Sequence, residues 1–380
     1  MRKDYLFTPG PTMVPPEVLL AMAQPVIHHR TAQFSAVFEE VNEGLKYLFQ
    51  TTQPVLTFAA SGTGAMEAAV ANLLRSGEKA LVVRGGKFGE RWAEICQRYG
   101  IETVNIDIEW GRAVSPGEIE EALAREKGIK VVFTTHCETS TAVRTDIEAI
   151  ARITRERDVL LVVDAVSALG AEELRFDAWG IDAVVSGAQK GIMLPPGLAF
   201  IALSERAQLK AQQGDLPNYY FSIPKALKSL EKQQTPYTPA VSLIIGLRVA
   251  LGMIRDEGLE NVWKRHALLA EATRAGLEAL GLKLFSKAPS NVVTAFEVPE
   301  GIEAGRLRAV MRERYGANIA GGQAQLKDKI CRIAHLGYMT ESDTLLVLNT
   351  LELALRELGY ACERGAASAA AVRVFESGKG

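Results

Sequence analysis

The sequence predicts an α/β protein: a large domain built on a mostly parallel sheet, then a smaller C-terminal α+β domain. Three observations predict it. Short runs of Val, Ile, Leu and Ala recur between residues 55 and 203 without alternating with polar residues, as in strands covered on both faces. Helical stretches of about ten residues or more separate these runs, which implies βαβ units. After Leu203 the alternation stops, and longer amphipathic helices replace it.

The elements follow in order. Pro9, Gly10, Pro11, Pro15 and Pro16 crowd the start, so residues 1–16 read as an extended arm. A large domain over 17–255 then carries strands at 55–60, 80–83, 129–134, 159–163, 182–186 and 199–203. Helices are expected at 34–49, 65–74, 89–99, 116–126 and 147–157. The polar segment 212–239, with Pro217, Pro224, Pro236 and Pro239, is too long for an ordinary loop and reads as a functional excursion. Helices at 241–257 and 260–280 lead into the small domain, taken as 256–365. It holds strands at 292–298 and 330–335 and helices at 304–315 and 341–358. Residues 366–380 begin with an alanine-rich stretch and read as a loosely held tail.

Composition narrows the function classes. The 380 residues are 48% hydrophobic and 23% charged, ordinary for a globular protein. A net charge of −2 gives no basic footprint for nucleic acid. No apolar h-region follows Met1-Arg2-Lys3-Asp4-Tyr5, and no apolar run approaches the ~20 residues that span a bilayer. No secretory signal or membrane anchor is therefore expected. The end, Ser377-Gly378-Lys379-Gly380, is not a peroxisomal address. Cys96, Cys137, Cys331 and Cys362 are scattered with no CxxC pair, so no metal or disulfide framework is expected and a reducing cytoplasm fits.

Lys190 carries the most information. It closes the run from Asp182 to Lys190, where a buried strand opens into the loop Gly191 to Gly197. A lysine there is costly unless paired, neutral or covalently used, although lysine ordinarily snorkels to the surface. Asp164 stands at the end of another buried strand, where it caps the next turn or faces a ring nitrogen. Val166, two residues on, would then pack against a ring face. Ser61-Gly62-Thr63-Gly64 lies between a strand and a helix, the place for a phosphate cradle or for a plain glycine-rich cap. Gln189 can hydrogen-bond a phosphate from beside Lys190. Phe88 follows a strand and either stacks on a flat ring or packs in the core. The hydroxyls of residues 135–141, Thr139 among them, reach a ring substituent or serve the turn. Arg332 sits inside an apolar strand and needs a partner, either a substrate carboxylate or a structural carboxylate.

Singly these signals are weak. Together they fall at strand ends of one α/β domain, where open sheets bind ligands. Phosphate cradle, carboxylate and lysine amine are the three contacts that pyridoxal phosphate (PLP) requires.

In this arrangement the chain resembles class V aminotransferases of PLP fold type I, the aspartate aminotransferase-like fold. It is most similar to the alanine–glyoxylate and serine–glyoxylate (serine–pyruvate) group. The residues that carry the resemblance run in family order over nearly the whole chain: Thr8 to Thr12, Ser61 to Glu67, Gly85 to Arg91, His136 to Thr141, Val163 to Gly170, Ser186 to Lys190 with Pro195-Pro196-Gly197, Thr235 to Ser242, and Arg332 to Gly337. The resemblance implies a seven-stranded sheet, PLP bound covalently through Lys190, and Asp164 on the pyridine nitrogen. It implies Ser61, Gly62, Thr63 and Gln189 at the phosphate side, Thr139 near the ring hydroxyl and Arg332 on the substrate carboxylate. The family often has tryptophan where this chain has Phe88. The resemblance also implies a homodimer whose sites are shared across the interface. The loop with Thr235 and Thr238 would reach the partner's cofactor, and the arm around Pro11 would line the substrate pocket. The expected reaction moves an amino group between alanine or serine and glyoxylate or pyruvate. Alternatives are an aspartate, aminophosphonate or sulfonate donor, a cysteine desulfurase or related lyase, and a non-catalytic subunit.

Overall fold

The computed structural model describes residues 3–378. Met1 and Arg2 of the expected arm, and Lys379 and Gly380 of the expected tail, lie outside the described residues. The strands in chain order are β1 Tyr5–Phe7, β2 Val55–Phe58, β3 Lys79–Arg84, β4 Glu102–Asp107, β5 Ile129–Thr135, β6 Cys137–Glu138 and β7 Val143–Arg144, followed by β8 Leu160–Asp164, β9 Ala183–Gly187, β10 Ala199–Leu203, β11 Val293–Glu297, β12 Ala317–Gly321 and β13 Ile330–Ala334.

Seven strands form the large sheet in the order β2-β10-β9-β8-β5-β3-β4. It is parallel except at β10, which runs antiparallel to both β2 and β9. The centre is apolar on both faces. In β8, Leu161 and Val163 pack into one core while Leu160 and Val162 pack into another. Each such side chain contributes about 2 kcal/mol on burial, so a polar residue at any of them would be costly. From β3 the chain passes to β4 on one side, and β5 then pairs on the other side of β3. The strand order therefore reverses between β3 and β5, which opens a crevice beyond their C-terminal ends.

The second sheet has the order β1-β12-β13-β11 and encloses a third core with the helices Leu259–Ala279, Ala304–Tyr315 and Glu341–Glu357. The expected arm is extended, and it also joins this sheet. β1 pairs in parallel with β12, Tyr5 opposite Ala317. The chain's first strand is thus part of the C-terminal sheet.

The tail differs from expectation. Residues Ala366–Ser377 form a helix that packs against the helix Leu259–Ala279. Alanine is the best helix former, and Ala367, Ala371 and Phe375 recur at a helical interval and are buried. The Gly365 N–H before this helix donates to Glu352 Oε1 at 2.8 Å. Besides β1 and the short strands β6 and β7, two strands escaped the sequence pattern. β4 is a half-exposed edge strand of mixed polarity, and β12 contains Asn318 and Gly321. The 212–239 excursion is not wholly irregular, because Ile223–Leu230 is helical with Pro224 in its first turn. The hairpin β6–β7 adds a further connection: Ser290 N–H donates to Ala142 O at 3.1 Å, and Arg144 N–H to Ala288 O at 2.9 Å. The hairpin thereby joins the two halves of the molecule.

Candidate active site

Lys190 and Asp164 lie in the same buried region because β9 and β8 are adjacent parallel strands that end together. Lys190 is 9% exposed, and its ammonium donates to the carbonyl of Pro9 in the arm. Its own carbonyl accepts from Thr12 Oγ1 at 3.1 Å. A Cβ on Gly10 would fall 2.6 Å from Lys190 Nζ, and Gly10 has φ +124°, so only glycine lets the arm pass the lysine this closely. Burial brings the Lys190 amine down to about 8, against an opposing pull from Asp164. Asp164 is 3% exposed, and its Oδ1 accepts from Val166 N–H at 2.8 Å. Burial pushes its carboxyl up to about 7; Glu138 adds to that, while the Val166 bond and Lys190 oppose it. A cation set against this carboxyl would restore its charge.

The cradle lies at the start of the helix Gly62–Leu73. Ser61 is its N-cap, yet the Ser61 side chain makes no capping hydrogen bond. A Cβ on Gly62 would stand 2.5 Å from Val166 Cγ2, and Gly62 N lies 3.3 Å from where a Gly187 Cβ would be. Thr63 Oγ1 accepts from Arg91 Nη1 at 3.1 Å. Gln189 Oε1 is buried with no hydrogen-bond partner, a costly state for an amide oxygen unless a ligand completes it. These features fit PLP: a lysine with a lowered amine pKa, a buried carboxylate suited to a cationic ring nitrogen, a glycine-lined helix start and an unpartnered amide.

Phe88 sits in the first turn of the helix Lys87–Arg98. The Arg91 guanidinium lies 4.8 Å from its ring centroid, so Arg91 links Phe88 to Thr63. The helix start is Gly86, which offers no side-chain cap. Its cap comes from Glu138, a residue the sequence reading passed over. Glu138 Oε2 accepts from Phe88 N–H at 3.0 Å and from Gly89 N–H at 2.9 Å. Oε1 accepts from Ser140 N–H at 3.2 Å and Ser140 Oγ at 2.5 Å. The signal that could have found it is the glycine pair Gly85-Gly86 before a helix, a start that must take its acceptor from elsewhere.

Arg332 projects from β13 and is 5% exposed. No carboxylate among the described residues holds it. Its Nε and Nη2 donate to Gly321 O at 3.0 and 2.8 Å, and its Nη1 donates to Thr139 O at 2.7 Å. These bonds leave N–H groups of both terminal nitrogens over. Burial lowers the guanidinium to about 10, with Glu138 opposing. Thr139 thus meets Arg332 through its carbonyl, and its Oγ1 bonds Ser167 Oγ at 2.7 Å.

Of the remaining candidates, Pro11 stands between Gly10 and Thr12, which meet Lys190, and Thr235 and Thr238 sit on the loop beside the end of β2. Thr235 Oγ1 donates to Tyr237 O at 2.7 Å. Thr235 and Thr238 line a small cleft with Thr57, Phe58 and Ala59 at the end of β2. Arg30 fixes that loop by donating to Gln234 Oε1 and Thr235 O, both at 2.9 Å. Pro11 is exposed, and its carbonyl accepts from Thr8 Oγ1 at 2.9 Å. Among the described residues, no helix is long and apolar enough to cross a membrane.

Comparison with known proteins places the chain in a family. A relative from Synechococcus sp. (strain PCC 6716), named as the small subunit of a soluble hydrogenase, is 43% identical over 99% of each chain. The L-aspartate–glyoxylate aminotransferase of Paracoccus denitrificans is 39% identical and covers 97% of this chain and 95% of its own. The crystal structure of ureidoglycine–glyoxylate aminotransferase from Bacillus subtilis superposes with a TM-score of 0.94 at 32% identity, covering 99% of both chains. The family model for aminotransferase class V matches residues 4–362, and the chain belongs to that family of transaminases.

Proposed function

We propose that the protein is a PLP-dependent aminotransferase that moves the amino group of a small amino acid, alanine or serine, to glyoxylate or pyruvate. One observation carries the reading: the Lys190 amine, its pKa lowered by burial, lies at the end of β9 with the buried Asp164 carboxyl at the end of the adjacent β8. When bound, PLP supplies an electron-accepting ring that takes up the electron pair of the substrate Cα–H bond. Asp164 holds the ring nitrogen protonated. Lys190 would hold the aldehyde end of PLP, and its free amine would carry the proton at the substrate Cα. Ser61, Gly62, Thr63 and Gln189 hold the phosphate, and Phe88 and Val166 flank the ring. Thr139 serves the ring hydroxyl, Arg332 grips the substrate carboxylate with its spare N–H groups, and Pro11 lines the substrate pocket.

Two relatives named for amino transfer share glyoxylate and differ in donor, which supports a small oxo acid as acceptor and leaves aspartate as the competing donor. The Synechococcus relative's name stands apart from theirs; Lys190 and Asp164 support amino transfer. We also place the enzyme in the cytoplasm, in keeping with its unpaired cysteines. It would act as a homodimer in which Thr235 and Thr238 meet the partner's phosphate. In support, Tyr219 is 71% exposed and stacks on Tyr237 beside that loop, an apolar surface that a second copy would cover.

The test is an absorbance spectrum of purified protein before and after addition of alanine, serine or aspartate singly. A near-visible band that shifts to shorter wavelength with alanine or serine supports the reading, and a shift with aspartate alone replaces the donor. No band even after PLP is added would overturn the assignment.

A further inference from the structure

The turn after β5 touches both the aromatic residue after β3 and the arginine of the small sheet. Glu138 is 4% exposed and accepts four hydrogen bonds, two of them from the N–H groups of Phe88 and Gly89. This link crosses the crevice where the strand order reverses. Packing is tight around it: a Cβ on Gly86 would collide with Glu138 Cδ and Ser140 Oγ. Ser140 Oγ also accepts from Lys87 N–H at 3.0 Å, so three consecutive N–H groups of the helix start are held by this one turn. An ordinary N-cap belongs to the helix it caps and moves with it. Here the acceptor stands on another strand, so it fixes where the helix starts relative to β5 and β8. The next residue, Thr139, fixes Arg332 through its main-chain carbonyl, which makes the turn a spacer between the two.

We infer that Glu138 is a positioning residue: it sets the Phe88 ring against the cofactor by holding the first turn of the helix Lys87–Arg98 from across the crevice. The inference rests on the proposed PLP site. Glutamine at 138 keeps the size but supplies one acceptor oxygen in place of two, so the Phe88–Gly89 pair and the Ser140 pair cannot both be satisfied.

The experiment compares the full-length chain with Glu138→Gln, Ser140→Ala and Phe88→Leu, and with Phe88→Leu combined with each of the other two. Three properties are read: the PLP dissociation constant, the circular dichroism of bound PLP, and amide exchange at Phe88 and Gly89 without cofactor. Glu138→Gln is expected to weaken PLP about tenfold, the share of one charge-assisted hydrogen bond, and to flatten the dichroism band. It should also speed exchange at both amides about tenfold. Ser140→Ala should do the same more mildly, and it decides the matter if Glu138→Gln does not fold. In the Phe88→Leu background most of the loss in PLP affinity should vanish, because coupled residues are not additive. An equal loss in both backgrounds overturns the inference, as does a lower melting temperature with affinity, dichroism and exchange unchanged. A wild-type chain that binds no PLP would instead break the proposed function, and the exchange result would then report on the Glu138 link alone.

Discussion

Two buried cations face the same penalty in different halves of the molecule and meet it differently. Lys190, at the end of a parallel strand, receives one carbonyl, that of Pro9, and burial brings its amine down to about 8. Arg332, in the middle of an antiparallel strand, is gripped by Gly321 O and Thr139 O and comes down to about 10, a fall as large as the lysine's but from the higher ordinary value of 12.5. A point-like ammonium on a flexible stem, brought down to about 8, gives up its proton within reach of neutral pH. A delocalised planar guanidinium keeps its charge and spreads it over several acceptors. The difference teaches what each is suited to: the lysine to serve as a nucleophile and proton carrier in the proposed reaction, the arginine to stay a cation for an anion.

The largest effect should come from removing the lysine. Lys190→Ala should slow the half reaction with alanine by about a thousandfold or more, read as loss of the spectral shift in a single turnover. Retained turnover would break the contrast at its root. Next comes Arg332→Lys, which keeps the charge and loses the fork. It should raise KM for the amino donor about ten- to a hundredfold with a smaller change in kcat, measured by steady-state kinetics. An unchanged KM would mean that the charge alone suffices.

A third test uses pH. PLP uptake needs the neutral amine, so its rate in stopped-flow absorbance should rise as pH climbs through about 8. The sign for stability is the same. Below about 8 both folded and unfolded chains hold this proton, and nothing is gained. Above it the folded chain has released the proton while the unfolded chain keeps it to about 10.4. Stability of the cofactor-free protein should therefore rise across that window, and a flat profile in urea melts would count against a lowered Lys190. The smallest effect is expected for Thr12→Val, which removes a hydrogen bond to the Lys190 carbonyl. It should cost about 1 kcal/mol in urea and leave the pH midpoint of PLP uptake where it was, because burial sets that midpoint. A moved midpoint would show that the arm, too, tunes the amine.

Lys190, Asp164 and the Gly62 cradle were legible because each is a local signal, a polar or glycine residue where an apolar run ends. Arg332 was legible as a cation inside an apolar strand, although its carbonyl partners were not. Glu138 escaped because its meaning lies in amides about fifty residues away, and no periodicity encodes that pairing. β4 escaped because an edge strand has one side in water and mixes polar with apolar residues. The helix Ala366–Ser377 was misjudged through composition: low complexity was weighed above alanine's helix propensity and the spacing of Ala367, Ala371 and Phe375.

β1 has a consequence for how the chain is made. It leaves the ribosome well before its partner β12, which begins at Ala317. The ring of contacts that encloses the Lys190 amine, through Pro9 and Thr12, therefore stays open until the chain has been made past residue 317. Such a distant pairing closes late because a long loop must be ordered first. A nascent or truncated chain ending before residue 317 would carry Lys190 with its amine unshielded, and burial of that lysine would report that β12 had emerged.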